Sequence, residues 1–177
     1  MKNKLLLPLI GLGSLALLSA CQTLTPPRGI KPISPFDIQK YQGKWFEVAR
    51  LENRFEKGLT HVTATYRLQD DGTVAVINRG FNPKKGQWSE SIGKARFTGS
   101  ADRAALKVSF FGPFYASYNV IALDDNYQTA LVCGPDRSYL WLLSRQRHLT
   151  PALRQTMLAK AKQAGFATEQ LIWTDQE

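Results

Sequence analysis

The sequence predicts an all-β protein: an eight-stranded antiparallel up-and-down β-barrel with one C-terminal α-helix packed outside it and a short final strand. Three observations support this fold class. Short segments between residues 45 and 145 alternate apolar and polar side chains or are rich in β-branched residues, which is typical of half-buried strands. The connections are short, so strands that follow one another should pair antiparallel. Eight strands are enough to close a barrel without free edges.

The predicted strands follow the chain in order. They span residues 45–51, 62–68, 73–81, 88–97, 105–110, 117–123, 127–133 and 139–145. Turns rich in Gly, Asn, Asp and Pro separate them, most clearly at 70–72, 82–86, 124–126 and 134–137. A short helical turn at residues 36–41 is expected to cap one end of the barrel.

A helix and a last strand complete the predicted fold. Thr150-Pro151 provides an N-cap and a first-turn proline, and Gly165 provides a stop. Leu153, Met157, Ala161 and Ala164 fall on one helical face, so this face should pack against the outside of the barrel. Residues 171–174 are then expected to form a short strand that pairs with the first strand.

The N-terminus is predicted to be an export signal. Lysines 2 and 4 precede an apolar run at residues 5–18, which is too short to span a bilayer well. Leu18-Ser19-Ala20-Cys21 resembles a bacterial lipobox. This resemblance implies that Cys21 carries a diacylglycerol group and an N-acyl chain such as palmitate. Because Gln22 follows instead of Asp, it also implies sorting to the outer membrane, with the domain facing the periplasm.

Three regions follow from this interpretation. They are a lipoprotein signal peptide at 1–20, a lipidated Cys with a Pro-rich tether at 21–35, and a folded domain at 36–177. Only Cys133 remains once Cys21 is acylated, so no disulfide is expected within the mature chain. Cys133 lies in an apolar run and is predicted to be a buried, inert thiol.

The composition is that of one globular domain. The 177 residues are 44% hydrophobic and 21% charged, which excludes wholesale disorder. The net charge is +9, or +7 without Lys2 and Lys4, and a basic surface can favour anionic lipid. The basic residues are scattered and form no stripe with interleaved aromatics, so nucleic-acid binding is not predicted.

Catalysis has little support in the sequence, and the protein is not predicted to be an enzyme. The two histidines, His61 and His148, are expected at the surface and have no metal-ligand spacing. The acidic pairs at 70–71 and 124–125 lie in predicted turns, where Asp is favoured for backbone reasons. No nucleophile-elbow, phosphate-loop or dinucleotide motif occurs. No cofactor and no metal are expected.

The beginning of the first predicted strand and the end of the last one resemble sequences of the lipocalin family. Gly43-Lys44-Trp45 opens the first strand, and Arg145 closes the last one. The resemblance covers residues 36–174 and is nearest to the bacterial outer-membrane lipoprotein branch, through the stretches 112–115, 133–137 and 139–141. Only Tyr127 fits the family's second motif, in Asp125-Asn126-Tyr127, which weakens inferences about receptor contacts.

The resemblance implies a ligand and a site. Gly43, Trp45 and Arg145 would form a structural clamp at the closed end, with a cation–π contact. With Arg145 inward, the two-residue period also turns Tyr139, Trp141 and Leu143 inward. The candidate cavity residues are Tyr115, Ser117, Asn119, Tyr139 and Trp141, with Phe110 and Phe114 at the rim.

The predicted function is that of a membrane-anchored protein that stores or transports fatty acids or lysophospholipids for membrane maintenance. Three alternatives stay open: a carrier of haem, porphyrin or another small apolar ligand, an enzyme of the lipocalin fold, and a membrane-spanning β-barrel. The predicted helix and lipobox argue against the last of these. Whether the protein forms a homodimer also stays open.

Overall fold

A computed structural model of the protein describes residues 24–177. The predicted signal peptide, residues 1–20, and the predicted lipidation site Cys21 lie outside the described residues. The elements in chain order are α1 (Ile38–Tyr41), β1 (Gly43–Leu51), β2 (Thr60–Leu68), β3 (Val74–Asn82), β4 (Gln87–Phe97), β5 (Ala105–Phe111), β6 (Phe114–Leu123), β7 (Thr129–Cys133), β8 (Leu140–Ser144), α2 (Pro151–Gln163) and β9 (Leu171–Trp173).

The eight strands β1–β8 close into an antiparallel up-and-down barrel, which confirms the predicted fold class. Each strand pairs with the next in sequence, and β8 pairs with β1 to close the cylinder. β9 lies outside this cycle and pairs antiparallel with the second half of β1. The observed strand bounds lie within three residues of the predicted ones, and several coincide with them.

The helix α2 begins and ends where its sequence signals predict. The Thr150 hydroxyl accepts a hydrogen bond from the backbone N–H of Leu153, and Pro151 occupies the first turn. Gly165 follows the helix with φ of 82°, a conformation that glycine adopts without strain. Met157 and Ala161 are buried against the barrel, whereas Leu153 on the predicted apolar face is partly exposed.

The apolar core has two parts, one on each side of the barrel wall. The interior cluster contains Trp45, Tyr66, Val120 and Leu143, among others. The outer cluster lies between the wall and α2, and includes Leu131, Leu142 and Met157. This division shows which side chains face the interior, because alternate residues of a strand belong to opposite clusters.

A bulge in β1 opens the wall between β1 and β2. β1 pairs with β2 only over Gly43–Phe46, and beyond the bulge it pairs with β9 instead. The C-terminal Gln176 fills the space: its Nε2 donates to the carbonyl of Glu47 at 2.8 Å and to that of Val62 at 2.9 Å. The C-terminal segment thus forms part of the barrel wall.

The two ends of the barrel are closed differently. At one end, which we call the closed end, α1 crosses the barrel floor beside the turns at 69–73, 98–104 and 124–128. At the other, the open end, lie the β1–β2 loop (residues 52–59) and the turns at 83–86, 112–113 and 134–139. All of these turns belong to one end or the other because the strands alternate in direction.

The stretch predicted as a tether packs against the barrel from Pro27 onward. Pro27 and Pro32 are buried, and the Arg28 carbonyl accepts a hydrogen bond of 3.0 Å from Arg137 in the open-end turn at 134–139. Ile33 then bonds through its backbone to Val120 and Ala104. This segment therefore runs along the outside of the barrel from the open end toward the closed end.

None of the helices within residues 24–177 has the length and apolar character needed to cross a membrane.

Candidate ligand-binding site

Arg145 and Trp45 meet at the closed end. The Arg145 guanidinium carbon lies 3.9 Å from the centroid of the Trp45 ring. Its nitrogens also donate to the carbonyls of Lys40, Tyr41, Gln42 and Lys44 over 2.7–3.1 Å. Several of these carbonyls end α1 and lack helical partners, so the cation satisfies the negative end of the helix. The geometry is that of a structural clamp.

The space around the clamp explains the neighbouring glycine. Gly43 has φ of 92°, and a Cβ built there would lie 3.3 Å from Arg145 Nη1. Both the backbone conformation and the approach of the guanidinium therefore favour glycine. Burial lowers the pKa of Arg145, although its carbonyl partners and the ring keep the charged form bound.

Three tyrosine hydroxyls form a chain across the closed half of the interior. The hydroxyls of Tyr41 and Tyr118 are 2.7 Å apart, and Tyr118 donates to Tyr66 over 2.7 Å. Burial raises the pKa of all three phenols, so they stay protonated and serve as hydrogen-bonding groups. The cavity that remains beside them is about 10 Å³. That volume is about the size of one water molecule, so this half of the barrel is filled by its own side chains.

Two charged side chains of β1 face the interior closer to the open end. Glu47 pairs with Leu143 and Arg50 pairs with Trp141 across the β1–β8 ladder, and both partners belong to the interior cluster. The bulge between these two residues turns Arg50 inward, three positions after Glu47. Arg50 Nη1 donates to Glu47 Oε1 at 2.7 Å, and both side chains are at most 2% exposed.

The β1–β2 loop contacts the Glu47–Arg50 pair from the open end of the barrel. Arg50 Nη2 donates to the Glu56 carbonyl at 2.8 Å. The Glu56 carboxylate accepts from Trp141 Nε1 at 2.8 Å and from Asn53 Nδ2 at 2.6 Å. Leu59 sits over Gly80, where a Cβ would lie 3.0 Å from its Cδ1. The loop therefore covers part of the barrel mouth and is held there by Trp141 and Arg50.

Burial and neighbouring charges change the pKa values of both charged β1 residues in this cluster. Burial and the nearby Glu56 carboxylate raise the pKa of Glu47 to about 8. Burial alone would lower the pKa of Arg50, but the Glu47 and Glu56 charges raise it above its ordinary value. Burial thus raises the pKa of Glu47 although Arg50 lies beside it, and the Arg50 guanidinium stays charged between the Glu47 and Glu56 carboxyl groups. Arg50 Nε has no hydrogen-bond partner among residues 24–177 although it is buried.

The mouth is accessible to water along β4. Val76 faces Gly93 and Val74 faces Ala95 in the unbroken β3–β4 ladder, so odd-numbered residues of β4 point inward. Ser89 and Ser91 continue this inward face toward the mouth and are exposed. The Phe110 ring packs where a Cβ on Gly93 would lie 2.8 Å from it. An aromatic ring and small polar groups thus line the accessible part of the interior.

The structure distributes the predicted cavity residues over three locations. Phe110 and Trp141 pack against the interior cluster, and Tyr139 stacks on Trp141 with the ring centroids 6.0 Å apart. Phe114 is exposed at the rim. Tyr115 lies under the Lys107 ammonium at 5.1 Å, on the outside. The predicted set therefore does not form one lining.

The predicted inward orientation of Ser117 and Asn119 is wrong. Asn119 pairs with Cys133, which belongs to the outer cluster, and Ser117 pairs with Lys107 on the outside. Tyr118 and Val120 of the same strand enter the interior instead. The error follows from counting the two-residue period from Tyr115, which places β6 out of phase by one residue. Asn119 Nδ2 donates to the Ser117 hydroxyl at 3.1 Å on that outer face.

Sequence reasoning missed the charged cluster and the tyrosine chain. A signal for the cluster was present: Glu47 and Arg50 are the charged residues within Phe46–Leu51, an otherwise apolar part of a strand. Buried charges in such a strand require partners inside the protein. The β1 bulge is what brings both residues to the same face, and nothing in the sequence marks its position.

The remaining reactive side chains lie away from the interior. Cys133 is buried in the outer cluster, and burial raises its thiol pKa to about 12. His61 packs on the outer-face rings of Phe81 and Trp88, and His148 is exposed beside Glu177. Within residues 24–177, no three His, Cys, Asp or Glu side chains are arranged to hold a metal ion.

Known proteins resemble this chain over almost its whole length. A family profile described as Lipocalin-like domain matches residues 36–176. Outer membrane lipoprotein Blc of Escherichia coli (strain K12) is 55% identical over 172 residues, which cover 97% of each chain. The protein of the same name from Vibrio cholerae serotype O1 is 47% identical over 162 residues, which cover 91% of this chain and 94% of that one.

A solved structure agrees at the level of the fold. The cockroach allergen Per a 4 superposes with a TM-score of 0.69 at 18% identity, over 86% of this chain and 96% of that one. Together with the matched profile and the closed barrel, these relationships establish the class of protein: the chain belongs to the lipocalin family. The family points to binding or transport of small molecules.

Proposed function

We propose that this protein is a membrane-anchored lipid carrier that stores or transports fatty acids or lysophospholipids. The observation that supports the proposal is the order of groups inside the barrel. The interior is apolar and aromatic, and one buried guanidinium, that of Arg50, lies near the mouth. A molecule with an apolar chain and an anionic group matches this order. Burial of the chain would contribute about 0.8 kcal/mol per methylene group.

The anionic group of such a lipid has a donor available. Arg50 Nε is buried and lacks a hydrogen-bond partner within residues 24–177, and leaving a buried donor unpaired is unfavourable. A carboxylate or phosphate oxygen beside it would form a charge-assisted hydrogen bond. Because burial raises the pKa of Glu47, this carboxyl group repels a nearby anion less than an ordinary glutamate would. Ser89 and Ser91 offer further hydroxyl groups along the accessible wall.

Space for the acyl chain has to come from the half of the barrel nearer the open end. The cavity of about 10 Å³ near the closed end is too small for a chain. The β1–β2 loop covers the mouth through the Glu56–Trp141 hydrogen bond. We infer that this loop moves outward when lipid enters, with Leu59 leaving its place over Gly80.

The membrane location is proposed on sequence grounds and on the relatives. Cys21 stands at the end of a lipobox-like motif, and several acyl chains on one residue give a firm anchor. Relatives that are 47–55% identical are named outer membrane lipoproteins. A carrier tethered to the outer membrane and facing the periplasm is suited to handling lipids released from that membrane.

An interior-blocking variant tests the proposal. Ser91→Trp places an indole in the accessible mouth, whereas Glu90→Trp places the same group on the outer face of the same strand. Both proteins are delipidated and titrated with palmitate and with a lysophospholipid in equilibrium dialysis. We expect the wild type and Glu90→Trp to take up one lipid per barrel and Ser91→Trp to bind at least tenfold more weakly. Failure of the wild-type protein to bind either lipid would disprove the proposal.

A further inference from the structure

Large apolar side chains are exposed around the open end. Phe111 is 78% exposed, Phe114 66%, Phe55 65% and Trp88 51%. Phe55 belongs to the β1–β2 loop, Phe111 and Phe114 flank the turn at 112–113, and Trp88 lies at the start of β4. Four exposed aromatic rings at one end of a barrel are more than scattered surface residues, and such rings favour an interface between water and lipid.

The charge of the turns differs between the two ends. The open-end loop and turns contain five basic residues and three acidic ones, and the acidic Glu56 is hydrogen-bonded to Trp141 inside the mouth. The closed-end turns contain five acidic residues and one basic one. The basic residues of the open end are Arg54, Lys57, Lys84, Lys85 and Arg137. Lys40, Lys44, Arg145 and Arg147, outside these turns, offset much of the acidic charge at the closed end. A surface of anionic lipid therefore attracts the open-end turns more strongly than the closed-end turns.

The chain also leaves the barrel at the open end. The Arg28 carbonyl is bound to Arg137, in the turn at 134–139, and Pro27 is buried. The stretch from Cys21 to Pro27 spans at most about 20 Å even when fully extended. Because the strands of a closed barrel tilt by about 40°, the ten residues of β6 rise about 25 Å along the barrel axis. A lipid anchor on Cys21 is therefore too short to let the closed end rest on the bilayer.

We propose that the open end of this protein is a membrane-docking surface that inserts Phe55, Phe111 and Phe114 into the headgroup region of an anionic bilayer. The flanking Lys84 and Lys85 lie against lipid phosphates. In this orientation the barrel mouth faces the membrane, so a lipid passes between bilayer and barrel without crossing water. The docking surface goes beyond the proposed carrier function, and it depends on the proposed lipidation of Cys21 only for the argument from tether length.

Site-directed spin labelling of the full lipidated chain tests this orientation. Cys21 is acylated in that protein and Cys133 is buried, so the label attaches to an introduced cysteine. Phe111→Cys reports the open end, and Asn126→Cys reports an exposed closed-end turn. The protein is reconstituted into vesicles of phosphatidylethanolamine and phosphatidylglycerol. Collision rates of each label are then measured with oxygen, which partitions into lipid, and with a water-soluble nickel chelate.

We expect oxygen collisions to exceed nickel collisions several-fold at position 111, and the reverse at position 126. Lys84→Glu with Lys85→Glu should return position 111 to water, whereas Lys44→Glu with Arg67→Glu, the same charge change on exposed strand residues far from the open end, should not. A label at 111 as accessible to nickel as the label at 126 would overturn the proposal. Shielding from both reagents with spin–spin broadening would also overturn it, because a second copy would then cover the surface. Retained lipid uptake in either case leaves the carrier function standing.

Discussion

Arg145 contributes to stability through hydrogen bonds as much as through its contact with an aromatic ring. Its two terminal nitrogens donate to four carbonyls around the end of α1 while its plane lies on Trp45. A lysine ammonium has three donors and no plane, so it can replace neither the stacking nor the full set of hydrogen bonds.

We expect Arg145→Lys to lower the free energy of unfolding by about 2–4 kcal/mol, because buried carbonyls lose charged donors. Urea unfolding followed by circular dichroism measures the change. Arg67→Lys is the matched control at an exposed strand position and should change stability by less than about 0.5 kcal/mol. A loss as small as that of the control would mean that the guanidinium is not the element that holds α1.

Glu47 makes stability depend on pH in an unusual direction for a carboxyl group. Burial and the Glu56 charge raise its pKa from 4.5 to about 8. The folded protein therefore binds a proton that the unfolded chain releases between these two pH values. The stabilisation is fully present below about pH 4.5, and it is lost as the pH rises through about 8.

We expect the wild-type free energy of unfolding to fall as the pH rises from 5 to 8, and Glu47→Gln to remove most of that slope. Chemical unfolding at several pH values in this range measures the slope. Glu90→Gln, at an exposed position of β4, should keep the wild-type slope. An unchanged slope in Glu47→Gln would contradict the assignment of the proton to Glu47.

Among the elements, the β1–β2 loop is the one whose position bears most on function. Apart from Leu59 over Gly80, its contacts with the barrel are polar: Glu56 with Trp141, and Arg50 with the loop carbonyls of Glu56 and Leu59. Polar contacts at the mouth exchange for water more readily than buried apolar contacts do. The loop is therefore suited to open without disturbing the barrel below it.

We expect Glu56→Ala to increase amide hydrogen exchange in residues 53–59 about tenfold, since loss of a charged hydrogen bond costs at least about 1.5 kcal/mol. The neighbouring Lys57→Ala, at an exposed position, should leave exchange near the wild-type rate. Lipid association with Glu56→Ala should also be faster. Equal exchange in the two variants would show that the Trp141 hydrogen bond does not hold the loop.

The sequence was least informative about which residues of each strand face the barrel interior. β8 was predictable because Arg145 anchors its alternation, and Trp141 and Leu143 do belong to the interior cluster. β6 was not, because register shifts occur in both of its pairings, between Val108 and Phe111 and between Val120 and Ala122. Alternation from Tyr115 to Asn119 is unbroken, and the error was the assumption that Tyr115 faces the interior; the shift just before Tyr115 sets the face of that residue, and no sequence signal marks it.

At the scale of the whole molecule, strand order and number followed from short turns and alternation, and the helix from its capping residues. The filling of the closed half did not follow, since it depends on how Tyr41, Tyr66 and Tyr118 meet across three elements. The difference between the filled closed half of the barrel and its accessible open end is therefore visible only in the structure. This difference favours a position for the proposed lipid in the half of the barrel nearer the open end.

Native mass spectrometry of the protein released gently from its own membrane tests the central proposal most directly. We expect a bound mass of one fatty acid or lysophospholipid on each wild-type barrel and on each Glu90→Trp barrel. This mass should be lost or strongly reduced in Ser91→Trp, whose indole fills the mouth. A protein without bound lipid, or equal lipid occupancy in Ser91→Trp and Glu90→Trp, would contradict binding in the barrel interior.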